Sequence, residues 1–345
     1  MTHHSSPWRA ETRHAVGLVL AVTAGLTLVL ALFVGVAVNS GPHGVRLAVA
    51  GPPAAAGQIA AELAAAAGPD AFEVDAVDDS AQARTALQER TVDGAIVLGP
   101  TGSTLLIAGA GSPAIAQLLT TAAAHLGSDG AVAATPVVDV VPLSPDDSHG
   151  AGLPAGSLPM VLAGLALGAA AALRLRNRWV VLGAVTGGGV AIGLSFAGVL
   201  AWLGVIDGAY LAASSAIALT VAASALVVAG STRLLGAAGL AIGALLLMII
   251  GNPLSGIASS PRLLPAPWGE FGQWLPTGAG GTLLRSVAYF PDAGIGFPVW
   301  VLLAWGALGL LGVLLGRRGP SVTRVDPAGH PERTVPARHT VEPVT

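Results

Sequence analysis

Long apolar runs alternate with short polar breaks over most of this chain, and the runs have membrane-crossing length. About 20 mostly apolar residues span the hydrocarbon core of a bilayer. Six stretches qualify: residues 15–38, 154–173, 179–203, 209–229, 234–251 and 297–316. None holds an acidic or basic residue in its central part. The first run is longer than the roughly 7–15-residue core of a signal peptide, which favours an uncleaved anchor, although "GVAVNS" offers a small-residue cleavage site. Between the third and fourth runs, "LGVIDGAYL" supplies only a tight turn.

Over residues 39–153 the rhythm changes to short alternations. "GVRLAVAGP", "AFEVDAV", "VDGAIVLG", "STLLIAGAG" and "TPVVDVVPL" read as strands. "AAAGQIAAELAAAAG" reads as a helix closed by Gly68, and "DDSAQARTALQER" as one opened by Asp or Ser caps. Ser112 and Pro113 open another, with Ile115, Leu118, Leu119, Ala122 and Leu126 on its apolar face. Alternating strands and helices predict a small α/β domain with a partly parallel sheet, long enough to fold on its own.

Composition supports the membrane assignment. Of 345 residues, 53% are hydrophobic and only 10% charged, against about 25% charged in soluble domains. All 16 basic residues are arginine, and there is no cysteine, hence no disulfide, thiol nucleophile or thiolate metal site. With the N-terminus inside, the inner flanks hold eleven of the 16 arginines, as the excess of positive charge on cytoplasmic loops demands. Residues 1–14 are then cytoplasmic, 39–153 extracytoplasmic, and 317–345 a disordered cytoplasmic tail rich in proline and arginine. The external segment carries twelve acidic residues against three arginines, so its surface repels anions, and no nucleic-acid partner is expected.

Catalytic patterns are missing. His3, His4, His14, His43, His125, His149, His330 and His339 all lie outside the runs and offer no ligand spacing beyond the termini, so neither metal nor other cofactor is expected. Ser195 sits in an apolar run, but no run supplies a basic partner to activate it, and it reads as a packing residue between helices. The runs lack the ionisable residues of a proton relay. "GPTGSTLL" at 99–106 lacks the lysine of a Walker A loop. The chain is not read as an enzyme. Glycines four apart, Gly164 and Gly168, Gly183 and Gly187, Gly189 and Gly193, Gly239 and Gly243, and Gly312 and Gly316, mark close helix packing, within the bundle or between copies.

Residues 252–296 fit neither pattern. Prolines at 261, 265, 267 and 276 break the segment, while Trp268, Phe271 and Trp274 share one helical face suited to the lipid headgroup boundary. "TLLRSVAYF" predicts a second short helix carrying Arg285 toward water or an anionic group. The expected shape is a bent pair of short helices dipping into the outer leaflet, where irregular backbone survives only if protein or a wet cavity satisfies it.

The predicted whole is a polytopic α-helical membrane protein with six transmembrane helices, an extracytoplasmic α/β domain between helices 1 and 2, and a re-entrant helical hairpin before helix 6. Over residues 15–316 this layout resembles the membrane subunits of type-two ABC exporters, in the branch that includes the phage-infection-protein family. "NPLSG" at 252–256, "LPTGAGGTLLRS" at 275–286 and the pair Tyr289 and Phe290 are similar to the outer loop of actinobacterial members. The resemblance implies a separate ATPase subunit, a homodimer, and outer helices lining the translocation path, with Trp268, Phe271, Trp274, Arg285 and Tyr289 near a passing amphiphile. Only short inner links, "RLRNR" at 174–178 and "GSTR" at 230–233, are offered to a motor. Two functions stay open: a permease subunit moving a hydrophobic or amphipathic compound outward in plasma membrane lipid, or a non-transporting envelope protein whose external domain binds a partner.

Overall fold

The computed structural model describes residues 7–100, 102–128, 136–290 and 293–316; the tail expected to be disordered, 317–345, lies outside that range. Six helices are long and apolar enough to cross a membrane, which makes this a polytopic membrane protein in which a small α/β lobe follows the first span.

Helix α1 (Pro7–Val38) has 32 residues, about 48 Å at 1.5 Å per residue. Its sides are exposed leucine and valine; near its end, Leu32 and Val36 touch Ile250, Leu254 and Leu264. The lobe follows, with β1 (Val45–Ala50), α2 (Pro53–Ala67), β2 (Phe72–Val77), α3 (Ser80–Gln88), β3 (Gly94–Gly99), β4 (Gly102–Ile107), α4 (Pro113–Ser128) and β5 (Val137–Asp139). The sheet order is β2-β1-β3-β4-β5, parallel except for the β3–β4 hairpin. The predicted caps form. Asp79 accepts from Gln82 N at 2.8 Å while Gln82 Oε1 accepts from Asp78 N, one residue before the cap, a variant of the capping box. Ser112 Oγ accepts from Ile115 N at 3.2 Å, ahead of Pro113 at the first helical position.

Successive strand residues face opposite sides of the sheet, and each side has its own core. Val45, Leu47 and Ile107 pack under α4 with Ile115 and Leu119; Ala48, Ala50 and Leu106 pack under α3 with Leu87. Neither core is complete within 39–153. Leu263 joins the first, and Phe290, only 1% exposed, joins the second. The lobe expected to stand alone therefore borrows apolar side chains from a segment well over a hundred positions later.

The bundle contains α5 (Gly152–Arg174), α6 (Arg178–Trp202), α7 (Tyr210–Leu235), α8 (Ala237–Ala244), a π-helical stretch (Leu245–Gly251), α9 (Asn252–Leu254), a 3₁₀ turn (Pro261–Leu263), α10 (Trp268–Gln273), α11 (Pro276–Tyr289) and α12 (Gly296–Leu315). Helix α7 is the hub, and α5, α6, α8, α11 and α12 all pack on it. Its buried positions are mostly small: Ala213, Ser214, Ala216, Ala223, Ser224, Ala225, Ala229 and Gly230. Glycines on the neighbours meet it closely. A Cβ on Gly164 would lie 2.7 Å from Ser224 Cβ, one on Gly168 2.9 Å from Ala225 Cα, and one on Gly189 3.1 Å from Ala222 Cβ. On Gly193 it would fall 2.8 Å from Ala218 Cβ, on Gly312 2.8 Å from Gly230 Cα, and on Gly316 2.7 Å from Arg233 Cβ. Gly239 and Gly243 press against Ser231 and Val228 in the same way. Gly183 and Gly187 instead meet nothing within 4 Å. Internal packing accounts for every pair but that one.

Two local readings are corrected. "GSTR" at 230–233 is not a loop, because α7 continues to Leu235 and the turn into α8 needs only Gly236, at φ 65°. Arg233 is consequently buried and donates to Arg176 O at 2.6 Å. Ser195 is not between helices: it is exposed, and its hydroxyl is satisfied by Ala191 O at 2.8 Å. At the end of the fifth span, Pro253 has no N–H for the carbonyl four residues back, and the preceding turns widen to π geometry.

Exposed tryptophans mark both ends of the bundle. Trp179 and Trp202 lie at opposite ends of α6, about 35 Å apart by helical rise, a spacing suited to the two interfaces of a bilayer. The lobe joins the end holding Trp202: Asp147 accepts from Ala151 N and Gly152 N at 2.9 Å, fixing the start of α5, and Gly204 lies against Asp146.

Candidate functional site

The site forms where the lobe meets residues 255–298. The 3₁₀ turn at Pro261–Leu263 pairs its backbone with the start of the lobe, Gly41 N donating to Leu263 O at 3.0 Å and His43 N to Arg262 O at 2.8 Å. Arg262 adds side-chain bonds, Nη1 to Gly44 O at 2.6 Å and Nε to Asp93 Oδ2 at 2.9 Å. Asp93 Oδ2 also accepts from Arg46 N at 2.9 Å. Ser112 Oγ, besides capping α4, donates to Ser259 O at 2.9 Å.

Below this seam α10 and α11 form a bent pair. Trp268, Phe271 and Trp274 are all exposed on α10 and its C-terminal cap; Trp268 meets Phe271 edge-on at 6.1 Å, and Trp274 meets Phe297 at 5.0 Å. Trp305 Nε1 donates to Trp274 O at 2.7 Å, and Gln273 donates from Nε2 to Ser255 O at 3.0 Å while its Oε1 accepts from Thr282 Oγ1 at 2.6 Å. Helix α11 begins at Pro276, six residues before the predicted "TLLRSVAYF", because its glycine run is helical. Gly278 abuts Gly272 O, Gly281 would place a Cβ 2.7 Å from Ile257 Cδ1, and Gly280 would place one 2.7 Å from Thr220 Oγ1. Thr220 lies ten residues into α7, about 15 Å along it. Glycine there trades helix propensity for close approach to the hub.

Arg285 does not turn toward water. It is 6% exposed, and donates from Nη1 to Gly111 O at 3.2 Å and from Nη2 to Ile257 O at 2.8 Å. Burial, then the charge of Arg90, pulls its pKa down to about 10, which leaves it cationic at neutral pH. Arg90 comes from the turn after α3; its Nη1 donates to Ser286 Oγ, and its guanidinium lies 5.0 Å from the centroid of the Phe290 ring. Burial lowers its pKa as well, while Asp93 opposes the shift. Asp93 is held above the ordinary carboxylate range by burial, against the pull of Arg262. Tyr289 faces the other way, its hydroxyl donating to Val205 O at 2.7 Å in the α6–α7 turn. Tyr289→Phe should lower stability by about 1 kcal/mol, read as a small drop in apparent melting temperature in detergent.

These groups enclose a cavity of about 1030 Å³ between lobe, hairpin and the start of α12. Arg46, Arg90, Arg262 and Arg285 line it. Only five arginines occur in residues 39–153 and 252–296 together, so four of the five converge here. Of the predicted residues, Arg285 lines the cavity itself; Trp274 meets Phe297, which lines the cavity, edge to face; Trp268 and Phe271 lie outside on α10; Tyr289 ties the hairpin to the bundle. Arg90, Arg262 and Asp93 escaped sequence reasoning. Their one signal was the scarcity of arginine in a segment otherwise acidic. No family model matches this chain, and no curated protein and no solved structure matches it.

Proposed function

We propose that the chain is a permease-like membrane subunit that receives a hydrophobic or amphipathic compound at the lobe–hairpin cavity and moves it outward, driven by a separate ATPase. The observation that carries this reading is the cavity's position. It opens beside exposed aromatic side chains on one flank and is bounded by a charged seam on the other. In this reading residues 39–153 lie outside the plasma membrane and both termini inside, as the arginine distribution supports. Residues 252–296 form a re-entrant hairpin, supported by the reach of α11 to Thr220 of the central helix. The layout resembles type-two ABC exporters, whose subunits pair as dimers; the open Gly183–Gly187 strip of α6 is free for a second copy.

One observation favours a non-transporting envelope protein instead. The links at the far end of the bundle, residues 175–177 and Gly236, leave little for a motor to grip. Affinity purification from native membranes separates the two readings. A nucleotide-hydrolysing subunit is expected to copurify; its reproducible absence, with no nucleotide-dependent efflux, favours the envelope reading. Trp274→Ala should slow efflux of a fluorescent long-chain amphiphile about tenfold, the equivalent of roughly 1.4 kcal/mol, at unchanged expression. Parental efflux in that variant would remove the aromatic flank from the path.

A further inference from the structure

Two guanidinium groups in the cavity lack a direct ion-pair partner, although Asp93 acts on Arg90 at longer range. Among the described residues the ion pairs are Arg46–Glu73 and Arg262–Asp93, so neither Arg90 nor Arg285 has a carboxylate within ion-pair reach. A guanidinium offers five N–H donors. Arg285 engages two of them and Arg90 binds through one terminal nitrogen, leaving donors of both unengaged beside the cavity. The charge of Arg90 lowers the affinity of Arg285 for its proton, and a buried cation without an anion is costly.

The backbone at Arg90 adds an independent sign. Its φ is +60°, and among the described residues every other positive φ belongs to glycine. The residue ends α3 in the left-handed region, with Arg90 N bonded to Leu87 O and Thr91 N to Ala86 O. Glycine is the usual occupant of that position, and a residue with a Cβ is strained there. The local turn gains nothing from arginine. The guanidinium is what the position provides, carried to Ser286 and the Phe290 ring beside the cavity.

We infer that Arg90 and Arg285 form a binding site for the phosphate headgroup of a single-chain amphiphile, with its apolar chain directed past Phe297 toward Trp274. Guanidinium forks match phosphate oxygens in geometry as well as charge. Ser286 and Thr282, on successive turns of α11, add polar atoms at the same place. Leu264, Ile257, Phe297 and Pro298 supply the apolar wall, and Phe297 belongs both to that wall and to the exposed aromatic group. The phosphate comes from an amphiphile rather than from solution because exposed carboxylates edge the cavity, Asp70 and Glu73 on the acidic lobe and Glu270 on α10, and only a ligand with an apolar chain gains aromatic contacts that offset their repulsion. A free anion is repelled at that rim, whereas an amphiphile gains apolar contact with Trp268, Phe271 and Trp274 as it enters. The inference rests on the cavity being a ligand site, as the proposed function does, but not on transport or on an ATPase.

The test is equilibrium binding to the purified full-length protein in a nonionic detergent. The probes are oleoyl lysophosphatidic acid, the neutral monoacylglycerol of the same chain, and inorganic phosphate. Lysophosphatidic acid should bind at least tenfold more tightly than the neutral analogue, and inorganic phosphate should neither bind comparably nor compete. Arg90→Gly removes the guanidinium while giving the left-handed turn its preferred residue. It should weaken lysophosphatidic acid about ten- to hundredfold, with only a small change in thermal stability, because relief of the strained φ offsets the lost Ser286 and Phe290 contacts. Arg90→Lys, which keeps the charge without the fork, should recover part of that affinity. Equal binding of charged and neutral lipids, or unchanged affinity in Arg90→Gly, would overturn the site. Inorganic phosphate binding as tightly as the lipid would overturn the amphiphile. Loss of export with binding intact would count against the proposed function alone.

Discussion

Gly309→Leu should prevent the bundle from assembling. Gly309 lies face to face with α7: its missing Cβ would collide with Leu226 and Val227 backbone, and Gly230 opposite has no Cβ either. Overpacking a core usually costs about 1–3 kcal/mol, relieved by rotamer shifts. Here the atoms struck are main chain, so the helices themselves must separate, and α7 is the element on which α5, α6, α8, α11 and α12 pack. The cost should reach or exceed the top of that range, seen as loss of a monodisperse peak on size exclusion and of a cooperative thermal transition. Gly183→Leu is the matched control. Nothing lies within 4 Å of that position, so the added side chain should leave the transition unchanged. A parent-like Gly309→Leu would remove α7 from its place as hub.

Asp93→Asn should have two effects of opposite sign. The carboxylate joins lobe to hairpin through Arg262 at 2.9 Å and holds Arg46 N. Neutralising it leaves Arg262 without an anion in a site where both side chains are about three-quarters buried. Charge-assisted bonds of this kind contribute about 1.5–3 kcal/mol, so the apparent melting temperature should fall and proteolysis between lobe and bundle should speed up. The same change removes the negative charge that offsets Arg90. Affinity for lysophosphatidic acid should therefore rise by at least severalfold although stability drops. A purely structural pair would lose both together, so joint loss would count against an anion site.

Much of the secondary structure was legible because its signals are local. Alternation in "AFEVDAV", the cap at Asp79 and the Ser112–Pro113 opening each act within a few residues, and each appears in the lobe. Misreadings arose where a residue's local meaning differs from its packing role. "GSTR" resembles a loop, yet Gly230 is there so that α12 can approach α7, and "TGAGG" resembles a flexible stretch but forms the close-packed first turns of α11. Phe290, which in the sequence is only half of an aromatic pair similar to that of exporter outer loops, fills the lobe's core. Arg285 was legible as unusual in an apolar setting; its partners were not, since Gly111 is 174 positions away and Arg90 nearly 200.

By itself the sequence determines that six runs are long and apolar enough to cross a membrane and in what order the lobe's elements follow. Those properties depend on the length and period of apolar runs, and burial of such runs is favourable wherever they end up. Tertiary structure decided which helix sits at the centre, which glycines face it, and that four scarce arginines meet at one cavity. Contacts across nearly two hundred residues leave no periodicity to read: they arise only when the bundle closes and brings the lobe down onto the hairpin.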